Sequence, residues 1–152
     1  MVAQLPDAMK TAGDKVKITL ALSEQDACNR IDKLAEIIMR HCHFAQDEAG
    51  RLYVFSHGVY MPNGEERVRR LVKEIMFFCN RGMEWSSHKG TEVVECIRLG
   101  APRLWPVPPL RIINLLNGLF DLDTTQLKPH DPRHLSNIQM AVTYCAEAEC
   151  PR

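Results

Sequence analysis

Charge of one sign is missing from this sequence. Nineteen lysines and arginines offset nineteen aspartates and glutamates, so no global field draws the chain onto nucleic acid or an anionic membrane. Any such contact needs a local patch. Long apolar runs are missing too: nothing approaches the roughly 18 residues of a membrane span. The N-terminal residues, 1 to 14, lack the charged-then-apolar order of a secretory signal. These absences exclude a secreted cysteine-rich scaffold and predict a cytoplasmic protein. The six cysteines are Cys28, Cys42, Cys79, Cys96, Cys145 and Cys150. They contain no C-x-x-C pair, so the common structural zinc pattern is absent. In a reducing compartment they are read as small apolar groups, with no disulfides. There is no G-x-x-x-x-G-K-[ST] and no G-x-G-x-x-G, which argues against an ATPase in this chain alone. G-x-S-x-G and H-E-x-x-H are absent as well. No internal repeat or low-complexity segment is found.

What is present fits an ordinary globular chain. The 152 residues are 45% apolar and 25% charged, enough to bury a core without disulfide staples. Residues 15 to 22, V-K-I-T-L-A-L after Lys15, alternate at their start like a short strand. Ser23 is a good N-cap for an amphipathic helix over 23 to 42, striped by Ala27, Ile31, Leu34, Ala35 and Ile38. Leu52 to Met61, around His57-Gly58, predicts a hairpin. Glu65 to Asn80 predicts a second helix stopped by Gly82, and Thr91 to Leu99 a third. Four prolines between Pro102 and Pro109 predict a stiff extended connector. Beyond it, Arg111 to Leu116 and Leu119 to Leu122 flank Asn117-Gly118, a strong hairpin signal. Leu127 to Pro129 and Gln139 to Tyr144 read as two more strands. The fold class expected is α+β. A helical part carries a hairpin that either joins the second sheet or stands as a wing beside the basic helix, and a small antiparallel sheet follows.

Few residues suggest chemistry. Arg67, Arg69, Arg70 and Lys73 form the densest positive patch, on the second helix. They can hold phosphates, or they form a solvated face offset by Glu66 and Glu74. Trp85, Trp105, Tyr53 and Tyr60 can stack on bases, but their scatter fits packing better. Asp121 and Asp123 are two apart, so on a strand both carboxylates would face one side and suit a divalent ion. The favoured reading is a turn, headed by Asp123, in which carboxylates bond backbone amides. His130 and His134 are four apart, but Pro132 interrupts a helix there, and Asp131 reads as a cap. His41-Cys42-His43 and the pair Cys145 and Cys150 are read as unligated. No metal and no cofactor are expected.

The C-terminal half carries a longer pattern. It runs through Asn117-Gly118, Asp121-Leu122, Leu127-x-Pro129-His130-Asp131-Pro132, Gln139, Tyr144 and Cys150-Pro151. This resembles the domain that precedes the superfamily III helicase in phage, plasmid and poxvirus primase-helicases. The likeness covers about 23 to 151, with its specific motifs between about 110 and 151. It departs at Asp123-Thr-Thr-Gln126, where the family more usually has a glycine in the turn.

The resemblance implies a fragment of a larger replication protein of a mobile genetic element, with a primase upstream and the helicase beginning where this chain stops. It implies a module that is not itself an enzyme. Its partners would be the covalently linked primase and helicase, other copies in a hexameric ring, and DNA, single-stranded or forked. Arg67, Arg69, Arg70 and Lys73 are the DNA-contacting candidates; Asn117, Gly118, Asp121, Asp123, Pro129, His130, Asp131 and Pro132 are structural motif residues. The expected organisation is an arm over 1 to 22 and one pre-helicase domain over 23 to 152. Within it, the helical part spans 23 to 100, the connector 101 to 110 and the β part 111 to 145. Two rival readings are a protein-interaction collar without DNA contact and a metal-dependent nuclease or primase using Asp121 and Asp123.

Overall fold

A computed structural model describes residues 30 to 148. The expected strand over 15 to 22 and the Ser23 cap lie outside them. The chain forms α1 (Ile31–His41), β1 (Phe44–Gln46), β2 (Leu52–Ser56), β3 (Val59–Met61), α2 (Gly64–Phe78) and, after a 3-10 turn at Gly82–Glu84, α3 (Ser87–Gly100). Strands β4 (Ile112–Leu115), β5 (Gly118–Asp121) and β6 (Gln126–Lys128) follow. The α+β class is the observed one: the described residues form three helices and two antiparallel three-stranded sheets, ordered β1-β2-β3 and β4-β5-β6. Among the described residues no helix is long and apolar enough to cross a membrane.

The helices bury the stripes that their spacing predicts. Leu34, Ala35 and Ile38 of α1 meet Val68, Leu71, Val72, Ile75 and Met76 of α2 and Val93, Val94 and Ile97 of α3. Leu52, Val54 and Phe44 close that core from the first sheet. Because side chains alternate along a strand, Tyr53 faces the other way. It joins Ala45, Tyr60 and Leu104 in a second, smaller cluster backed by Phe55 and Leu135. The first sheet therefore has both faces covered, by helices on one side and by the C-terminal half on the other.

Several boundaries differ from expectation. A helix continuous from 23 to 42 is not formed, since Arg30 is extended (φ −108°, ψ 117°) and α1 begins after it. Arg30 pairs with Asp32 across this boundary at 2.7 Å. The stop of α2 is Asn80 and not Gly82. Asn80 takes a left-handed conformation (φ 56°), and Arg81 N donates to Met76 O while Asn80 N donates to Phe77 O. This pair of bonds closes the helix as a Schellman motif. Helix α3 starts earlier than expected because Ser86 caps it, its Oγ accepting from Lys89 N at 3.1 Å. Strand β1 was not expected; three residues are too short for a pattern.

The hairpin of β2 and β3 forms as expected, with both His57 (φ 52°) and Gly58 (φ 83°) at positive φ, a tight two-residue turn. It does not join the second sheet. Nor does its tip project as a free wing, since Gly58, Val59 and Tyr60 are buried against the C-terminal half. In the next hairpin Leu115 pairs with Gly118, so Leu116 and Asn117 make the turn and Gly118 is already in β5. A Cβ on Gly118 would come within 2.4 Å of Lys128 O; glycine is needed there for the close approach of β6. Residues 139 to 144 do not form a strand. They make one parallel bridge, Leu115 with Met140, and then Tyr144 N turns to the Asn117 side chain at 3.0 Å.

The turn from β5 to β6 places Thr125 at φ 53°, a left-handed position that a β-branched residue occupies at a cost of roughly 1–2 kcal/mol. It is in the stretch where the resemblance leads one to expect glycine. Thr125→Gly should therefore stabilise the protein by about 0.5–1 kcal/mol after glycine's larger chain entropy is subtracted. A thermal melt showing a lowered Tm would contradict this.

Candidate nucleic-acid interface

Helix α2 presents its cations away from the core. Val68, Leu71, Val72 and Ile75 point inward, leaving Arg69, Arg70 and Lys73 exposed and Arg67 half-buried. The predicted residues share one helix but do not act alike. Arg70 pairs with Glu66 at 2.6 Å, one turn back, and both are well exposed. Arg69 reaches Glu65 at 3.5 Å. Glu65 also takes Arg98 of α3 at 2.5 Å, and Arg98 pairs with Glu95 on its own helix. Arg69 thus belongs to a clamp between α2 and α3. Lys73 lies over the Trp85 ring, its Nζ 5.2 Å from the centroid. Arg67 acts on Cys42, whose thiol is nonetheless pushed up by burial.

These pairs leave the surface able to bind an anion. Exposed one-turn ion pairs contribute only about 0.3–0.5 kcal/mol, so a phosphate can displace Glu66 from Arg70 at small cost. A Lys–aromatic contact at an exposed site contributes roughly 0.5–1 kcal/mol. Glu65 is held more firmly because it bridges two helices.

Of the C-terminal motif residues, His130 and Pro132 lie elsewhere, in the joint between the sheets. Buried Asn114 donates through Nδ2 to Gly58 O at 2.9 Å. His130 Nε2 is 2.8 Å from Leu115 O, and its ring packs on Gly58. The Tyr60 hydroxyl donates to Pro132 O at 2.7 Å. Burial first, and the charge of Asp131 second, push that hydroxyl up to about 12. Gln139 Nε2 reaches His57 O at 3.1 Å. Asn117 holds Tyr144 through bonds in both directions. Pro129 is exposed at the exit of β6. His134 packs edge-on against Trp105, and burial lowers its pKa against the pull of Asp131.

The two acids of the metal reading do not converge. Asp121 Oδ1 accepts from Asp123 N at 3.0 Å and Thr124 N at 3.3 Å, and Oδ2 pairs with Lys128 at 2.7 Å. Asp123 turns to Arg111. This is the turn arrangement, headed by Asp121 where the sequence suggested Asp123. Asp131 likewise accepts from Arg133 N at 2.8 Å and pairs with the Arg133 guanidinium at 2.6 Å, capping the turn that Pro132 enters. Among the described residues no group of three or more His, Cys, Asp or Glu gathers as metal ligands would.

Both carboxyls are held well below the ordinary range, at about 2: Asp121 chiefly by Lys128, Asp131 chiefly by Arg133. A depressed carboxyl contributes its stability above the unfolded pKa, about 4. It loses that contribution as pH falls through the folded value. Stability should therefore decline between about pH 4 and pH 2. Asp121→Asn should be less stable at neutral pH but show a shallower acid decline, read from urea midpoints across that window. An unchanged slope would mean that the Lys128 pair does not exist in solution.

Phe77 and the seating of Lys73 on Trp85 are features that sequence reasoning missed. The signal was available in part: Phe77 is four residues beyond Lys73 and so shares its face. No family model matches the chain, and no curated protein matches it.

Proposed function

We propose that this chain is a non-catalytic replication module of the kind that joins a primase to a superfamily III helicase, and that α2 is where it meets DNA. One observation carries the reading. The motif residues Asn117, Asp121, His130, Asp131 and Pro132 are engaged in turns and in the joint between sheets, whereas Arg70 and Lys73 stay exposed on a helix face. The motif builds a rigid body, and the cations supply its contact surface. In this reading the flanking priming and unwinding domains belong to the parent protein, which works as a hexameric ring in the cytoplasm of its host. The module supports ring assembly and guides the strand.

A second reading, a collar that touches only protein, is favoured by a different surface. Ile138, Met140 and Val142 are each more than half exposed. Ile138 and Met140 line a groove of about 200 Å³ together with Pro108, Pro109 and Ile112. Titration against labelled single-stranded and duplex DNA at two salt concentrations separates the two. Micromolar or tighter binding that weakens steeply with salt is the expected result. Changing Arg69 and Arg70 to alanine should reduce it. No binding at low salt would reject DNA contact and leave the collar.

A further inference from the structure

We infer that the polynucleotide taken by this surface is unpaired, with a base stacked on Phe77 and its phosphates on Arg70 and Lys73. This rests on the DNA reading above and goes further by naming the form of the nucleic acid. Glu66, Arg70, Lys73 and Phe77 follow one another at spacings of four, three and four along α2, and so share one face, with Glu74, four beyond Arg70 and three before Phe77, at its border. The stripe from Arg70 to Phe77 is roughly 10 Å long. A phenylalanine on a charged helix face is out of place for packing, and Phe77 is 58% exposed.

Its ring is nevertheless held. It lies against Gly82, close enough that a Cβ there would come within 2.7 Å of the ring. The turn closed by Asn80 and the 3-10 segment after it supply that support. A large aromatic surface therefore stays open while the ring itself is braced, which suits a stacking platform. Next to it, Lys73 is seated over Trp85, and Trp85 Nε1 is a buried donor without an acceptor among the described residues. Lys73 is in this way held above the surface beside Phe77.

An aromatic face next to cations is the pattern by which unpaired strands are bound without reading sequence. A duplex hides its base faces and can offer this stripe only phosphates. On the stripe itself the apolar member is one ring beside two cations, which suits a base flanked by phosphates; the exposed Phe78 and Met83 lie outside the stripe.

The experiment uses the full chain with Trp105→Phe, leaving Trp85 as the one tryptophan. The probes are a 20-nucleotide oligothymidylate, an oligouridylate of equal length and a duplex of equal length, titrated at several salt concentrations. Oligothymidylate should change Trp85 emission and bind about tenfold or more tighter than the duplex. Phe77→Ala should weaken that binding by about tenfold, the scale of one lost stack, with an unchanged salt slope. Lys73→Ala should instead lower the slope by about 0.7, one phosphate contact on a single strand. Phe77→Trp should retain affinity and Phe77→Leu should not. Equal affinity for duplex and single strand, or binding that Phe77→Ala leaves intact, would overturn the inference while the DNA reading survives. Tighter binding of oligouridylate would overturn DNA as the source of the strand. A dimer in sedimentation that Phe77→Ala dissolves would make the ring a contact between copies. Absence of binding to all three probes sinks the DNA reading itself.

Discussion

Gly58→Ala should destabilise the protein by about 3–6 kcal/mol. Three effects add. The residue sits at φ 83° in a tight turn, where a Cβ costs roughly 1–2 kcal/mol. That Cβ would lie 2.4 Å from both Cδ2 and Nε2 of His130, and such overpacking costs about 1–3 kcal/mol. If His130 moves away to make room, its bond to Leu115 O is lost, for about 1 kcal/mol more. Gly58 O also accepts from buried Asn114, so the displacement acts on both anchors of the second sheet. Urea denaturation measures the total. Adding His130→Ala to Gly58→Ala should return the overpacking share, and a double-mutant cycle isolates it. A loss below about 1 kcal/mol for Gly58→Ala would mean that the imidazole does not rest on this turn.

Leu71→Ala should cost a similar amount, about 2.7–5 kcal/mol, through different physics. Leu71 is fully buried among the three helices. Truncation removes its transfer energy and leaves a cavity that rigid helices fill poorly. The two sites also ask whether the halves unfold together. Trp85 packs against the helical core, while Trp105 contacts His134 in the C-terminal half. With each tryptophan in turn replaced by phenylalanine, Leu71→Ala should shift both fluorescence transitions to the same midpoint. Separate midpoints would show that the protein is not two-state, and that the joint at Gly58 is weaker than its bonds suggest.

The helices were legible in the sequence because their apolar stripes are long. Val68, Leu71, Val72, Ile75 and Met76 stand at helical spacing and are the residues buried. The hairpin turn at His57-Gly58 was legible from its glycine. Shorter signals misled. Asn117-Gly118 announced a hairpin correctly but placed its turn one residue late, because the glycine answers to Lys128 O and not to the turn. Gly82 looked like a helix stop, yet Asn80 supplies the left-handed residue. Residues 139 to 144 alternate like a strand, but the segment makes one bridge and then follows the Asn117 side chain. For the site, the cations were visible as a cluster. Their partners were less so: Arg70 with Glu66 is one helical turn, while Arg98 with Glu65 is a contact between helices that spacing cannot show.

The first sheet is closed by residues that come late in the chain. Gln46 N bonds to Pro102 O and Leu104 N to Gln46 O along β1, and Tyr60 N bonds to Ser136 O along β3. The Tyr60 hydroxyl waits for Pro132, 72 residues downstream. On a ribosome adding about 5–20 residues per second, that wait lasts roughly 4–15 seconds. Until then the β3 edge lacks its bond to Ser136, and the Tyr53 and Tyr60 face has Leu104 but not Leu135 to cover it. A nascent sheet in this state is open to pairing with a neighbour on the same polysome, and slowed elongation beyond the proline-rich stretch would lengthen the exposure.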